Sequence, residues 1–283
     1  MRKLSWLFFF LLSPAVLAPL SAADAWQTLT TAAADKNDQL RVKALAALGD
    51  IGLLPKSVAI IEKACGDSSE EVRQTAARVL GEMKSTGSVP VIAKLLDDSS
   101  PSVAFAAAQS LWLLKDYRGR DLFAAVLEGE GKSEGGVLHG MLHDAHVKMH
   151  DRGGLVKMGI NTGVGTFLGP FGMGLGFAED MFKDKGAPAR ALSASMLGKD
   201  TDPASIDDLR NALDDKNAAV RAAAARALGE RGDAGSIPRI QTLLDDKHVS
   251  VQLVAAASIV RIQNMAQITP KKNARDKFKR RKS

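Results

Sequence analysis

With a single cysteine, Cys65, this 283-residue chain can form no disulfide within itself. Cys65 lies beside Ile60, Ile61 and Ala64, an apolar helical setting that predicts a buried structural thiol rather than a reactive one. No HExxH motif is present, so the common helix-borne zinc site has no representative. No GxxxxGK[ST] loop occurs, and no Ser/His/Asp arrangement or pair of catalytic carboxylates stands out. Charge is also missing locally: Met158 to Ala178 runs for 21 residues without one charged side chain.

The formal charge is +6, and its distribution matters more than its sum. Arg2 and Lys3 open the chain, Leu4 to Leu12 is apolar, and Ser21-Ala22-Ala23 offers small residues before a cut. That pattern predicts a secretory signal peptide over 1–23, removed near Ala23. The apolar stretch is shorter than the ~20 residues a spanning helix needs. No cysteine follows it, so a lipoprotein-type anchor is not indicated. Residues 271–283 carry +7, and the body from 24 to 270 is left mildly acidic at −3.

That body repeats. Asp35, Asp67, Asp98, Asp184, Asp215 and Asp246 each stand five residues before an anchor: Leu40, Val72, Val103, Ala189, Val220 and Val251. The anchors are 32, 31, 86, 31 and 31 residues apart, a period that predicts an all-α solenoid of helix pairs. In the clearest units, Val72-Arg73, Ala76-Ala77, Leu80-Gly81 returns as Val220-Arg221, Ala224-Ala225, Leu228-Gly229. Apolar residues at that spacing trace one face of a helix, alanines admit a close neighbour, and the final glycine is expected to supply a left-handed stop. Gly87-Ser88-Val89-Pro90 and Gly235-Ser236-Ile237-Pro238 then open second helices, with serine the expected cap. Each ends in an Asp-Asp turn, Asp97-Asp98 or Asp245-Asp246.

These residues closely resemble the HEAT repeat family, in particular the short HEAT-like repeats also found in phycobilisome lyases. The resemblance covers two blocks, 24–130 and 184–268. Units one and four are weaker: Leu40-Arg41, Ala44, Leu48-Gly49, and Ala189-Arg190, Ala194, Leu197-Gly198. The third departs at Ala104 and Trp112, the sixth at Gln252 and Val260. The resemblance implies a ladder between successive repeats at Asp67, Arg73, Asp98, Asp215, Arg221 and Asp246. Those residues therefore read as turn caps and inter-repeat pairs, not as catalytic carboxylates.

Between the blocks, 131–183 reads as an insert, with room for one degenerate helix pair and an expanded loop. A helix drawn over Val137–His150 places His139, His143, His146 and His150 on one stripe. The stripe reads first as a polar face beside Leu138, Met141, Leu142, Ala145 and Met149; a divalent metal site or a pH-responsive stripe is the rival. The run 158–178 holds seven glycines and Pro170. An irregular apolar loop packed on the solenoid fits it best, with membrane contact or self-association through its Gly-xxx-Gly pairs as the alternative.

The end of the chain, 269–283, reads as a disordered basic tail. Lys271, Lys272, Arg275, Lys277, Lys279, Arg280, Arg281 and Lys282 form it. Behind an export signal the expected contact is an anionic membrane surface or acidic envelope polymer rather than nucleic acid; a purely solubilising tail is the rival reading. Together these features predict a non-enzymatic, exported scaffold of the bacterial periplasm or cell envelope that binds protein partners, with no resident cofactor. Relatives of the repeat class include bilin lyases and metal-dependent hydroxylases. The hydroxylases use His-Glu pairs, and no His-Glu dipeptide occurs in this chain.

Overall fold

The computed structural model describes residues 22–120, 122, 184 and 186–280, with side chains as far as residue 267. Among them run eleven α-helices and no strand. The first block holds α1 (Ala22–Ala33), α2 (Asp38–Ile51), α3 (Pro55–Ala64), α4 (Glu70–Glu82), α5 (Val89–Lys94) and α6 (Pro101–Leu113). The second holds α7 (Ala187–Leu197), α8 (Ala204–Ala212), α9 (Ala218–Arg231), α10 (Ile237–Thr242) and α11 (Val249–Arg280).

Local chemistry sets the helix ends. Asn37 and Asn217 cap α2 and α9 by accepting the amides of Leu40 and Ala219. Prolines occupy the first turns of α3, α6 and α7, where no carbonyl partner is lost. The exits differ from the sequence expectation. Gly81 and Gly229 lie inside α4 and α9, and the left-handed residues come three positions later, at Lys84 and Gly232. Lys115 takes the same conformation after α6. In each case the next amide reaches back five residues, as Ser85 N to Leu80 O (3.0 Å) and Asp116 N to Leu111 O (2.9 Å) do.

The glycines serve packing instead. A Cβ on Gly81 would meet the Cβ of Ser110 in α6 at 2.7 Å, and one on Gly229 would meet that of Ser258 in α11 at 2.9 Å. Gly198, just past α7, would meet Ala227 of α9 at 2.8 Å. Long helices therefore stack one on the next at near-backbone contact. Alanine makes most of the surface between them: every residue from Ala218 to Gly229 is buried. Leu45, Leu80, Leu111 and Leu228 fill the space beneath, against Ile61, Ile92, Leu209 and Ile240 of the shorter helices.

The order of stacking corrects the linear array expected from the sequence. Helix α11 packs on α9 and α10, as the register predicts, but it also packs on α1 and α2. Instead of ending after a few turns to let a second helix return, α11 continues to Arg280. The position of that missing second helix is filled by α1, which lies against α11 and α2 as α3 lies against α2 and α4. The spatial order of long helices is thus α7, α9, α11, α2, α4, α6. The same continuation replaces the irregular tail expected at 269–280; alanine, lysine and arginine there are good helix formers. Within α11, Val249–Gln267 is long and apolar enough to cross a membrane, yet 61% of its most apolar window is buried, as in a core helix.

Close stacking at glycine predicts a sharp contrast. Gly81→Ala, with a Cβ forced to 2.7 Å from Ser110, is expected to destabilise by about 1–3 kcal/mol. Gly87→Ala, which meets nothing within 4 Å, should leave the chemical denaturation midpoint within error of wild type.

Candidate functional site

The recurring aspartates are shared between repeats. With one carboxylate oxygen each accepts the amide two residues on: Ser69 N to Asp67, Ser100 N to Asp98, Asn217 N to Asp215 and His248 N to Asp246, all at 2.8 Å. The same carboxylate receives a forked guanidinium from the preceding repeat. Arg41 donates Nε and Nη2 to Asp67 at 2.9 and 2.7 Å, and Arg73 does the same to Asp98 at 2.7 and 2.8 Å. Arg190 pairs with Asp215, and Arg221 with Asp246. Nη1 of Arg73 and of Arg221 then donates to the carbonyls of Asp67 and Asp215 in their own turns. The six expected ladder residues are all engaged, but Asp67 and Asp215 take their arginines from Arg41 and Arg190, in the two weaker units.

The electrostatics follow from this. Arg73 holds Asp98 below the usual carboxylate range, against burial. At Asp67, Asp215 and Asp246 burial is the larger influence and acts upward; the guanidinium and the turn amide together outweigh it and the net shift is downward. At Cys65 burial, with the nearby charge of Glu62, pushes the thiol up to about 12, which makes it inert.

A second row links the short helices. Ser88 and Ser236, expected as caps, make no cap hydrogen bond. A 3-10 turn precedes each short helix, Thr86–Ser88 and Ala234–Ser236, and turns the hydroxyl toward the previous repeat. Ser88 donates to Glu62 of α3 at 2.6 Å, and Ser236 accepts Arg210 Nε of α8 at 2.8 Å.

Where the two blocks meet, Asp50 of α2 pairs with Arg226 of α9 at 2.7 Å, across 176 residues of sequence, and both are buried. Arg261 of α11 donates to the Asp50 carbonyl at 2.7 Å. Burial pushes the Asp50 carboxyl up, against the pull of Arg226. Nothing in the repeat pattern announced this cluster, although Asp50 occupies the register of Glu82 and Glu230.

The α6 end of the described array is apolar. Helix α6 carries no charged residue, and Trp112, Leu113 and Tyr117 are 47%, 55% and 54% exposed. The Trp112 and Tyr117 rings meet edge to face, with centroids 4.7 Å apart. Beside them lies a cleft of about 490 Å³ floored by Ala106 and Ser110 and flanked by the Arg78–Glu82 ion pair. This patch went unread in the sequence, although Trp112 already stood out there as the residue at a glycine position.

Other expected sites fall elsewhere. His139, His143, His146 and His150, and the run 158–178, lie outside the described residues. Among the described residues no group of three His, Cys, Asp or Glu is placed to hold a metal ion. Lys271 to Arg280 follow the backbone of α11, and nothing is assigned to their side chains.

A family model for HEAT repeats matches residues 58–131 and 178–260. The chain belongs to the HEAT repeats. Human deoxyhypusine hydroxylase in complex with glycerol resembles this HEAT chain at 18% identity and a TM-score of 0.32, covering 86% of this chain and 97% of its own. An engineered protein resembles it at 17% identity and a TM-score of 0.28, covering 85% and 97%. At such TM-scores neither likeness bears on activity. A search of curated proteins finds no match.

Two expectations follow for the HEAT ladder. Arg221 and Asp246 are the least exposed rung, at 9% and 7% of their side chains, so Arg221→Ala strands a buried carboxylate and should cost about 3 kcal/mol in equilibrium unfolding. Arg190 is 37% exposed, and Arg190→Ala should cost under about 1 kcal/mol. Because the folded ladder carboxylates titrate below their unfolded values, the stability they add is present at neutral pH and is lost as pH falls through the lowered values. Unfolding free energy measured against pH should therefore drop below about pH 4, and more shallowly in Arg73→Ala. Asp50 has the opposite sign: its raised carboxyl contributes most at low pH and less as pH rises, so it does not produce that drop.

Proposed function

We propose that this HEAT-repeat chain is a non-enzymatic, exported scaffold that holds a protein partner on its solenoid surface. The observation that carries the reading is the exposed aromatic patch at the α6 end of the described array, where Trp112 and Leu113 of the uncharged helix α6 and Tyr117 just past it lie beside a cleft. Aromatic side chains on rigid helices are the common anchors of protein interfaces: they bring large contact area and lose little rotamer freedom on binding. The Arg–Asp rungs tie neighbouring repeats together, which suits a frame.

What supports export, and with it the periplasm or cell envelope as the proposed location, is the positive, apolar and small-residue succession over 1–23. The eight basic residues between Lys271 and Lys282 act as an accessory contact to an anionic membrane surface or envelope polymer, each worth ~1 kcal/mol near such a surface. The insert at 131–183 is a further accessory contact on the same frame.

The test is affinity capture from envelope extract with the chain starting at residue 24, comparing wild type with a Trp112→Ser, Tyr117→Ser double variant. Specific partner recovery should fall by at least about tenfold in the variant, since two hot-spot aromatics typically carry more than 1.4 kcal/mol. Equal recovery by both proteins would remove the patch as the binding surface.

A further inference from the structure

Interior neighbours in this array share two devices: an Arg–Asp rung, and a glycine that admits the next helix. Both occur where α9 meets α11, as Arg221–Asp246 and Gly229 against Ser258, and where α4 meets α6, as Arg73–Asp98 and Gly81 against Ser110. Both are missing at two places. One is the end of the array at α6, where Ala104 and Trp112 replace arginine and glycine. The other is the meeting of α11 with α2. There Gln252 stands at the arginine position and donates to the Asp246 carbonyl of its own turn at 2.6 Å, and among the described residues Asp35 makes no ion pair. Val260 fills the glycine position. By its own residues, α11 is built like a last repeat, yet another block is stacked on it.

A different set of contacts closes this meeting, and it converges on one residue. Asp50 receives Arg226 on its carboxylate and Arg261 on its carbonyl. The fit is incomplete: Arg226 is 6% exposed, and among the described residues its Nε has no partner. A buried donor left unsatisfied weakens a contact, and water would satisfy it once the contact parted. Helix α1 completes the closure by burying Ala25, Leu29 and Ala32. It is tethered to the first block by a four-residue turn and by Lys56 of α3, whose Nζ sits 4.4 Å from the centre of the Trp26 ring.

We infer that the contact of α11 with α1 and α2 is a separable joint, at which the block α1–α6 parts from the block α7–α11 while each block stays folded. Local openings of this kind require less free energy than global unfolding, because the broken contacts are a small part of the whole. Asp50 is the catch: its carboxylate is the cross-block acceptor of Arg226, and its backbone carbonyl, which any substitution retains, accepts Arg261. The joint gives the frame two arrangements, closed and parted, and so two spacings between the α6 and α7 ends.

The native thiol provides the test. Cys65 is buried just past the end of α3, inside the first block, and reports opening of that block alone. A second thiol introduced by Val260→Cys reports the joint, and one introduced by Ala224→Cys, measured in a separate variant, reports the second block. Labelling by a thiol reagent is followed in the full chain at increasing urea. The joint thiol should react at least about tenfold faster than both block thiols at low urea, with a weaker urea dependence. Asp50→Asn should speed the joint thiol further and leave Cys65 unchanged. If Val260→Cys perturbs packing, Ala47→Cys, on the α2 side, replaces it. Equal rates with equal urea dependence at all three positions would show one cooperative unit and overturn the joint, as would an Asp50→Asn variant that speeds Cys65 as much as the joint.

Discussion

The separation of the long helices governs everything else in this molecule. At Gly81, Gly198 and Gly229 the next helix stands where a single added carbon would fall within 3 Å of it. At that spacing alanine suffices to fill much of the layer, and seven of the twelve consecutive buried residues of α9 are alanine. The arginines reach their aspartates only because the helices are this close. A wider stack would leave each guanidinium short of its acceptor and each turn open.

Arginine is the residue this arrangement demands. A rung asks one side chain to grip two oxygens of a carboxylate and, with its remaining nitrogen, a carbonyl of its own turn. The planar fork of Arg73 or Arg221 satisfies all three, whereas the ammonium of a lysine is a single point with no such geometry. Gln252 illustrates the partial substitute. Its amide keeps the carbonyl of the turn and gives up the carboxylate.

Much of this was legible in the letters, for a definite reason. The aspartate period and the Val-Arg, Ala-Ala, Leu-Gly pattern are local, and local spacing dictates helix, turn and rung. The helix exits were misplaced because the left-handed residue is chosen by the backbone bond from Ser85 to Leu80, which Lys84 tolerates without being glycine. Ser88 and Ser236 were misassigned because a short 3-10 turn, invisible in composition, swings them toward the neighbouring repeat. The order of the blocks was hidden for a deeper reason. A repeat pattern states what kind of neighbour a helix accepts, not which one it receives, and Asp50 finds Arg226 from 176 residues away. The departures at Ala104, Trp112, Gln252 and Val260 were visible as letters, but only their places in the stack give them meaning. The four histidines and the glycine run remain expectations of the sequence alone.

Helix α1 has one more consequence, for the sequence of events in biosynthesis. It leaves the ribosome first, yet the surface it must cover belongs to α11, which emerges last. Until then its twelve residues have half a binding site, and a helix so short is marginal on its own. The loop closed by their encounter spans most of the polypeptide, a slow step in a fold otherwise assembled from near neighbours. The nascent chain therefore passes through a stage in which its oldest helix is still unhoused.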